Sequence, residues 1–198
     1  MNKIIVFDLD ETIGDFSQII HIMNVKQKNT KKEVHELFDL FPCVFRTNLF
    51  EVFHYIARLK RERRIHSVLL YTNNACELFI DYVLSYIHDK LNYTLFDVTI
   101  SYNQTQKKNK NLVDLLHYSK LNPYVNYKIC FIDDTEYDEM KSCYYIHCES
   151  YTYDYSTQIK KLGIDLERNK KIKITQSVYA LITKEMLHKI KCFVMVQH

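Results

Sequence analysis

Four short apolar runs, Ile4 to Phe7, Val68 to Tyr71, Val98 to Tyr102 and Ile129 to Ile132, are each followed at once by polar residues. Runs this short, unbroken and rich in β-branched or aromatic residues read as parallel strands covered on both faces. Tyr144 to His147 is a fifth candidate. Between the runs lie segments whose apolar residues recur every three or four positions, the period of a helix with one buried face. Leu49, Val52, Phe53, Ile56 and Leu59 mark one; Leu78, Phe79, Tyr82, Val83, Tyr86 and Ile87 mark another. Leu112, Leu115 and Leu116 begin a third, and Val178, Leu181, Ile182, Met186, Leu187 and Ile190 mark the last. Strands alternating with helices predict an α/β fold, a Rossmann-like doubly wound parallel sheet. One domain over 1–198 accommodates it, with a small cap-like insertion after the first strand at about 16–47. Within that insertion a helix is predicted from Lys31 to Phe38.

Composition narrows the rest. A chain that is 47% hydrophobic and 26% charged can build a core, which excludes a disordered or fibrous class. A net charge of +3 neither demands nor excludes an anionic partner. Three local basic runs could meet phosphates: Lys60, Arg61, Arg63 and Arg64; Lys107, Lys108 and Lys110; Lys170, Lys171 and Lys173. Such runs are more often solvated faces. The six cysteines contain no CxxC pair, and the nine histidines lack zinc spacing. No stretch approaches a membrane span or a signal sequence, so the expected setting is the reducing cytoplasm, without membrane contact.

In open α/β sheets, ligands bind beyond the carboxyl ends of the strands. Asp8-Leu9-Asp10-Glu11-Thr12 follows the first run, Thr72-Asn73-Asn74 the second and Asp133-Asp134-Thr135 the fourth. Three strand ends therefore deliver carboxylates and a hydroxyl to one rim. An isolated Asp-x-Asp says little. The ordered set, with lysines ahead of the fourth strand, is far more specific.

That set resembles the haloacid dehalogenase superfamily over roughly residues 4–134 and the strand near Tyr144. The wording DLDETI is similar to the DLDETL of phosphatases related to the RNA polymerase C-terminal-domain phosphatases. The resemblance implies a nucleophilic aspartate at Asp8, a bound magnesium ion, and phosphoryl transfer through an aspartyl phosphate. It also implies that Thr72, with Asn73 beside it, holds a phosphoryl oxygen, and that a lysine bridges nucleophile and phosphate. Lys107, Lys108 and Lys110 compete for that role; Lys110 is preferred because Lys110-Asn111-Leu112 resembles a Lys-Asp-Leu in that branch. Asp8, the backbone carbonyl of Asp10, Asp133 and Asp134 are the implied metal ligands, with Asp134 favoured over Asp133 for direct contact. Two departures stand out: Glu11 follows Asp10 where Gly is commoner, and Gly14 and Asp15 stand where that branch often carries a histidine.

The residue types suit the chemistry. A carboxylate attacks a phosphate only when the charge of both is partly neutralised, which calls for a hard cation with oxygen ligands. Asp10, two residues further on, is placed to protonate the leaving oxygen and then to activate water. A phosphomonoester hydrolase is the leading expectation. Its substrate is left open among a phosphoprotein, a nucleic-acid end and a nucleotide or other small metabolite. The alternatives are an idle binding module on the same fold and a metal-dependent sugar or nucleotidyl transferase. Oligomeric state is not legible.

Overall fold

The first apolar run becomes the middle strand of a sheet. The computed structural model describes residues 2–122, 124–155, 159–160, 163 and 174–196. Five strands, β1 (Asn2–Phe7), β2 (Ser67–Tyr71), β3 (Val98–Ile100), β4 (Tyr127–Asp133) and β5 (Tyr144–His147), lie in the order β3-β2-β1-β4-β5. Every pairing is parallel. This is the Rossmann-like doubly wound arrangement expected from the alternation of patterns.

Because successive strand residues point to opposite faces, each strand feeds two layers. Ile5, Phe7, Val68, Leu70, Cys130 and Ile132 enter one core; Ile4, Val6, Leu69, Tyr71 and Phe131 enter the other. The first layer is covered by α1 (Ser17–Lys26), α2 (Lys31–Leu40), α3 (Leu49–Arg61), α4 (Glu77–Leu91) and the long α7 (Gln176–Met195). The second is thinner. It receives Leu112 and Leu115 from α6 (Leu112–Tyr118), and Met140 from a short 3-10 turn at Asp138–Met140.

Several boundaries differ from the sequence reading. The third strand stops at Ile100 and not at Tyr102, because Ser101 forms a capping box with Gln104 and opens the short α5 (Tyr102–Thr105). In α7 the buried face is Tyr179, Thr183, Met186, Ile190, Phe193 and Val194, while Val178 and Leu181 are exposed. Leu78 and Leu116 also face outward.

The segment after β1 carries two helices where one was expected. α2 starts at Thr30, whose hydroxyl accepts from the Glu33 N–H in a capping box. α1 has no side-chain cap to mark its start in the sequence. Ile19, Ile22, Val34, Leu37 and Phe38 are buried in the same core as Phe7 and Phe53. Phe38 stands among Phe16, Phe45, Phe79 and Tyr86, with ring centroids 5.1–6.4 Å away.

The basic run from Lys60 to Arg64 lies between the C-terminal turn of α3 and β2, at the amino end of the sheet. Lys60 is occupied there by Asp97 at 2.6 Å and by the Leu95 carbonyl at 2.7 Å. The run Lys170, Lys171 and Lys173 lies outside the described residues. Among the described residues no helix is long and apolar enough to cross a membrane.

Candidate active site

β1 and β4 are neighbours, with Phe7 opposite Ile132. Their carboxyl ends therefore release Asp8 and Asp133 side by side, and the Asp8 N–H donates to the Ile132 carbonyl at 2.9 Å. Both carboxylates are buried, Asp8 with 5% of its surface exposed and Asp133 with 1%. A buried charge requires a partner, and one lysine serves both. Lys110, 1% exposed, donates to Asp8 and, at 2.7 Å, to Asp133. Tyr71, Phe131 and Tyr137 surround its ammonium at 5.6–5.9 Å from their ring centroids, a further attraction for a cation.

The electrostatics follow from this packing. Burial pushes the Asp8 carboxyl up, against the pull of Lys110. Burial and the Asp8 charge together push Asp133 up to about 7. Burial alone would lower Lys110, but Asp8 and Asp133 hold it above the ordinary lysine range and keep it charged. The other lysines of the run are used differently. Lys107 binds both oxygens of Asp114 at 2.9–3.0 Å, and the Lys108 carbonyl accepts from Asn73 at 2.8 Å.

Asp134 turns the other way. Its Oδ1 accepts from the Thr12 hydroxyl at 3.2 Å and its Oδ2 from the Ser150 hydroxyl at 2.5 Å. Its N–H donates to the Thr12 oxygen at 3.0 Å, so Thr12 fixes both backbone and side chain. Asp8, Asp133 and Asp134 each offer a carboxylate oxygen, all within 4.8 Å of one another. Three oxygen donors gathered in this way are a set that a hard divalent cation could use as ligands.

Asp10 stands apart from that trio. Its Oδ2 accepts from the Asn74 amide at 3.1 Å, and its carboxyl is pushed up to about 6 by burial first and then by the charge of Asp8. Such a group exchanges protons near neutrality, as an acid/base catalyst requires. Thr72 is fully buried at the end of β2; its oxygen accepts from the Asn74 N–H at 3.0 Å, which leaves its own proton to donate. Asn73 reaches across to the Tyr137 hydroxyl at 3.1 Å.

The structure thus brings Asp8, Lys110, Asp133 and Asp134 together, with Asp10, Thr72 and Asn73 on the adjoining loops. Asn74, Ser150 and Tyr137 hydrogen-bond to residues of the site, and the sequence assigns none of them a role. Comparisons with protein-family models, curated proteins and solved structures find no match.

Proposed function

We propose that this protein is a magnesium-dependent phosphomonoester hydrolase that works through a phosphorylated Asp8. One observation carries the reading: a single buried ammonium, that of Lys110, lies between the carboxylates of Asp8 and Asp133, with Asp134 beside them and a proton-exchanging Asp10 two residues away. Here excess negative charge is gathered at the carboxyl rim of the sheet, where α/β folds place ligands.

Asp8, Asp133, Asp134 and the Asp10 carbonyl would hold magnesium, which supplies charge neutralisation for attack by one anion on another. In the first step an Asp8 oxygen attacks phosphorus, the bond to the leaving oxygen breaks, and Asp10 gives its proton to that oxygen. Water then attacks the same phosphorus while Asp10 takes back a proton. The Asp8–phosphorus bond breaks and inorganic phosphate leaves. Throughout, Lys110 and the Thr72 hydroxyl offset charge on the phosphoryl oxygens.

The substrate we favour is a bulky one, a phosphoprotein or a nucleic-acid end. The helices of the 16–47 segment bury their apolar faces in the main core, which supports a rim in place of a swinging lid. Lys60 and its neighbours lie at the far end of the sheet, so among the basic runs in the described residues only that at Lys107 and Lys108 adjoins the rim. We place the protein in a reducing cytoplasm, in keeping with its six unpaired cysteines.

The test is release of p-nitrophenol from its phosphate ester. The reading expects release with magnesium, none with a chelator, and none from Asp8→Asn. Turnover that survives both treatments would refute it.

A further inference from the structure

Among the described residues the most deeply buried cation besides Lys110 is Arg46, 1% exposed, in the loop that leads into α3. No carboxylate pairs with it among the described residues; its hydrogen-bond partners are backbone carbonyls and one sulfur. Nε donates to the Thr12 carbonyl at 2.6 Å, and Nη2 to the carbonyls of Glu11 and Glu149, each at 2.7 Å. The guanidinium lies against the rings of Tyr151 and Tyr179, 5.5 and 5.9 Å from their centroids. Burying a charge without a counter-ion is costly. Dipoles aimed at it from two separate loops offset that cost, and in turn the cation fixes the loops.

Those loops are the ones that carry the site. Glu11 follows Asp10 directly and has φ of 61°, the left-handed region that favours glycine. Its carbonyl accepts from both Arg46 and the Tyr151 N–H, the latter at 2.7 Å. Thr12 carries the hydroxyl that holds Asp134. Glu149 precedes Ser150, whose hydroxyl holds the other oxygen of Asp134 and whose carbonyl accepts from Tyr179 at 2.9 Å.

Resting on the phosphatase reading, we infer that Arg46 is a positioning residue: it holds the left-handed turn at Glu11 and so fixes Asp10 and Asp134 relative to Asp8. A glycine at 11 enters that turn without strain, so the effect of removing Arg46 should depend on the residue at 11.

The experiment is a double-mutant cycle on the whole chain with p-nitrophenyl phosphate and saturating magnesium. Arg46→Met should lower kcat about 10–100-fold, the usual range for residues that orient ligands, with KM nearly unchanged. Adding Glu11→Gly should recover part of that loss, because the turn is no longer strained while the contacts to Thr12 and Glu149 stay missing. Glu11→Ala, which removes the side chain and keeps the strained conformation, should recover none. Arg46→Lys keeps the charge but reaches fewer carbonyls; it should show a smaller loss with the same rescue, and it carries the cycle if Arg46→Met does not fold. Additive effects of the substitutions at 46 and 11 would overturn the inference, as would a rise in KM at constant kcat, which marks a substrate contact. If the wild type does not turn over the ester, the phosphatase reading fails separately. The same cycle read in thermal midpoints then decides the coupling, with additivity again the refuting result.

Discussion

Replacing Lys110 with methionine keeps most of the side-chain volume and removes the one charge shared by Asp8 and Asp133. Breaking a buried ion pair from one side costs about 3–5 kcal/mol, because the remaining carboxylates stay in a poorly solvated place. For a domain of this size that lowers the thermal midpoint by roughly 6–20 °C. The loss should depend on pH with a definite sign. Asp133 is raised to about 7 from 3.8, so the folded state holds a proton that the unfolded chain has released between those values. Its contribution is therefore fully present at low pH and is lost as pH rises through about 7. In the variant the carboxyl is raised further. Near pH 5.5 both proteins carry it neutral, so the difference between them should be smaller, what remains being the loss of the cation beside Asp8. Near pH 8.5, where the wild type ionises it beside a cation, the full difference should appear; magnesium at about a hundredfold its dissociation constant should raise the stability of the variant by ~2.7 kcal/mol. Calorimetry or circular dichroism at both pH values, with and without magnesium, reads this directly. An equal loss at both pH values, unmoved by magnesium, would mean that Lys110 is a packing residue and that the charge argument is wrong.

Asp10, raised to about 6, must be protonated to assist a poor leaving group. The value of kcat/KM for an alkyl phosphate should therefore fall as pH rises above about 6, and Asp10→Asn should abolish that limb while sparing first-step attack on p-nitrophenyl phosphate; identical pH profiles for the two esters would count against its role. Ser150→Ala frees one oxygen of Asp134 and should weaken magnesium binding about 10–100-fold in a calorimetric titration, whereas an unchanged affinity would remove Asp134 from the ligand set. Phe38→Ala should cost about 3–5 kcal/mol in urea unfolding, because its ring is fully buried among four other aromatic rings; a small effect would show that α2 is a detachable cap.

The legible part of this chain was what local pattern encodes. Runs such as Ile4–Phe7 and Ile129–Ile132 are apolar on both sides because both faces of a parallel strand are buried, and their polar successors had to emerge at the rim. Asp8, Asp133 and Asp134 follow from that alone, as does their mutual closeness once β1 and β4 pair. Spacing could not separate Lys107, Lys108 and Lys110; only the fold shows that Lys110 reaches Asp8 and Asp133 while Lys107 turns to Asp114. Arg46 was invisible for a different reason. Its partners are carbonyls of residues 11, 12 and 149, which any side chain can accompany, so the accepting positions carry no signature. Ser150 is likewise joined to Asp134 only by tertiary folding. The face of α7 was misjudged because Tyr179 and Thr183 are buried with their hydroxyls satisfied, by the Ser150 and Tyr179 carbonyls respectively, and a hydrophobic template does not count them.

The central claim is that Asp8 becomes phosphorylated, and the most direct measurement is mass spectrometry of enzyme quenched in acid during turnover of p-nitrophenyl phosphate. Asp10→Asn, which slows hydrolysis of the intermediate, is the protein to use. The account predicts a phosphoryl adduct on Asp8, labile to hydroxylamine as an acyl phosphate is, and absent when Asp8→Asn is added. Steady magnesium-dependent turnover with no adduct, or an adduct on another residue that persists in Asp8→Asn, would contradict it.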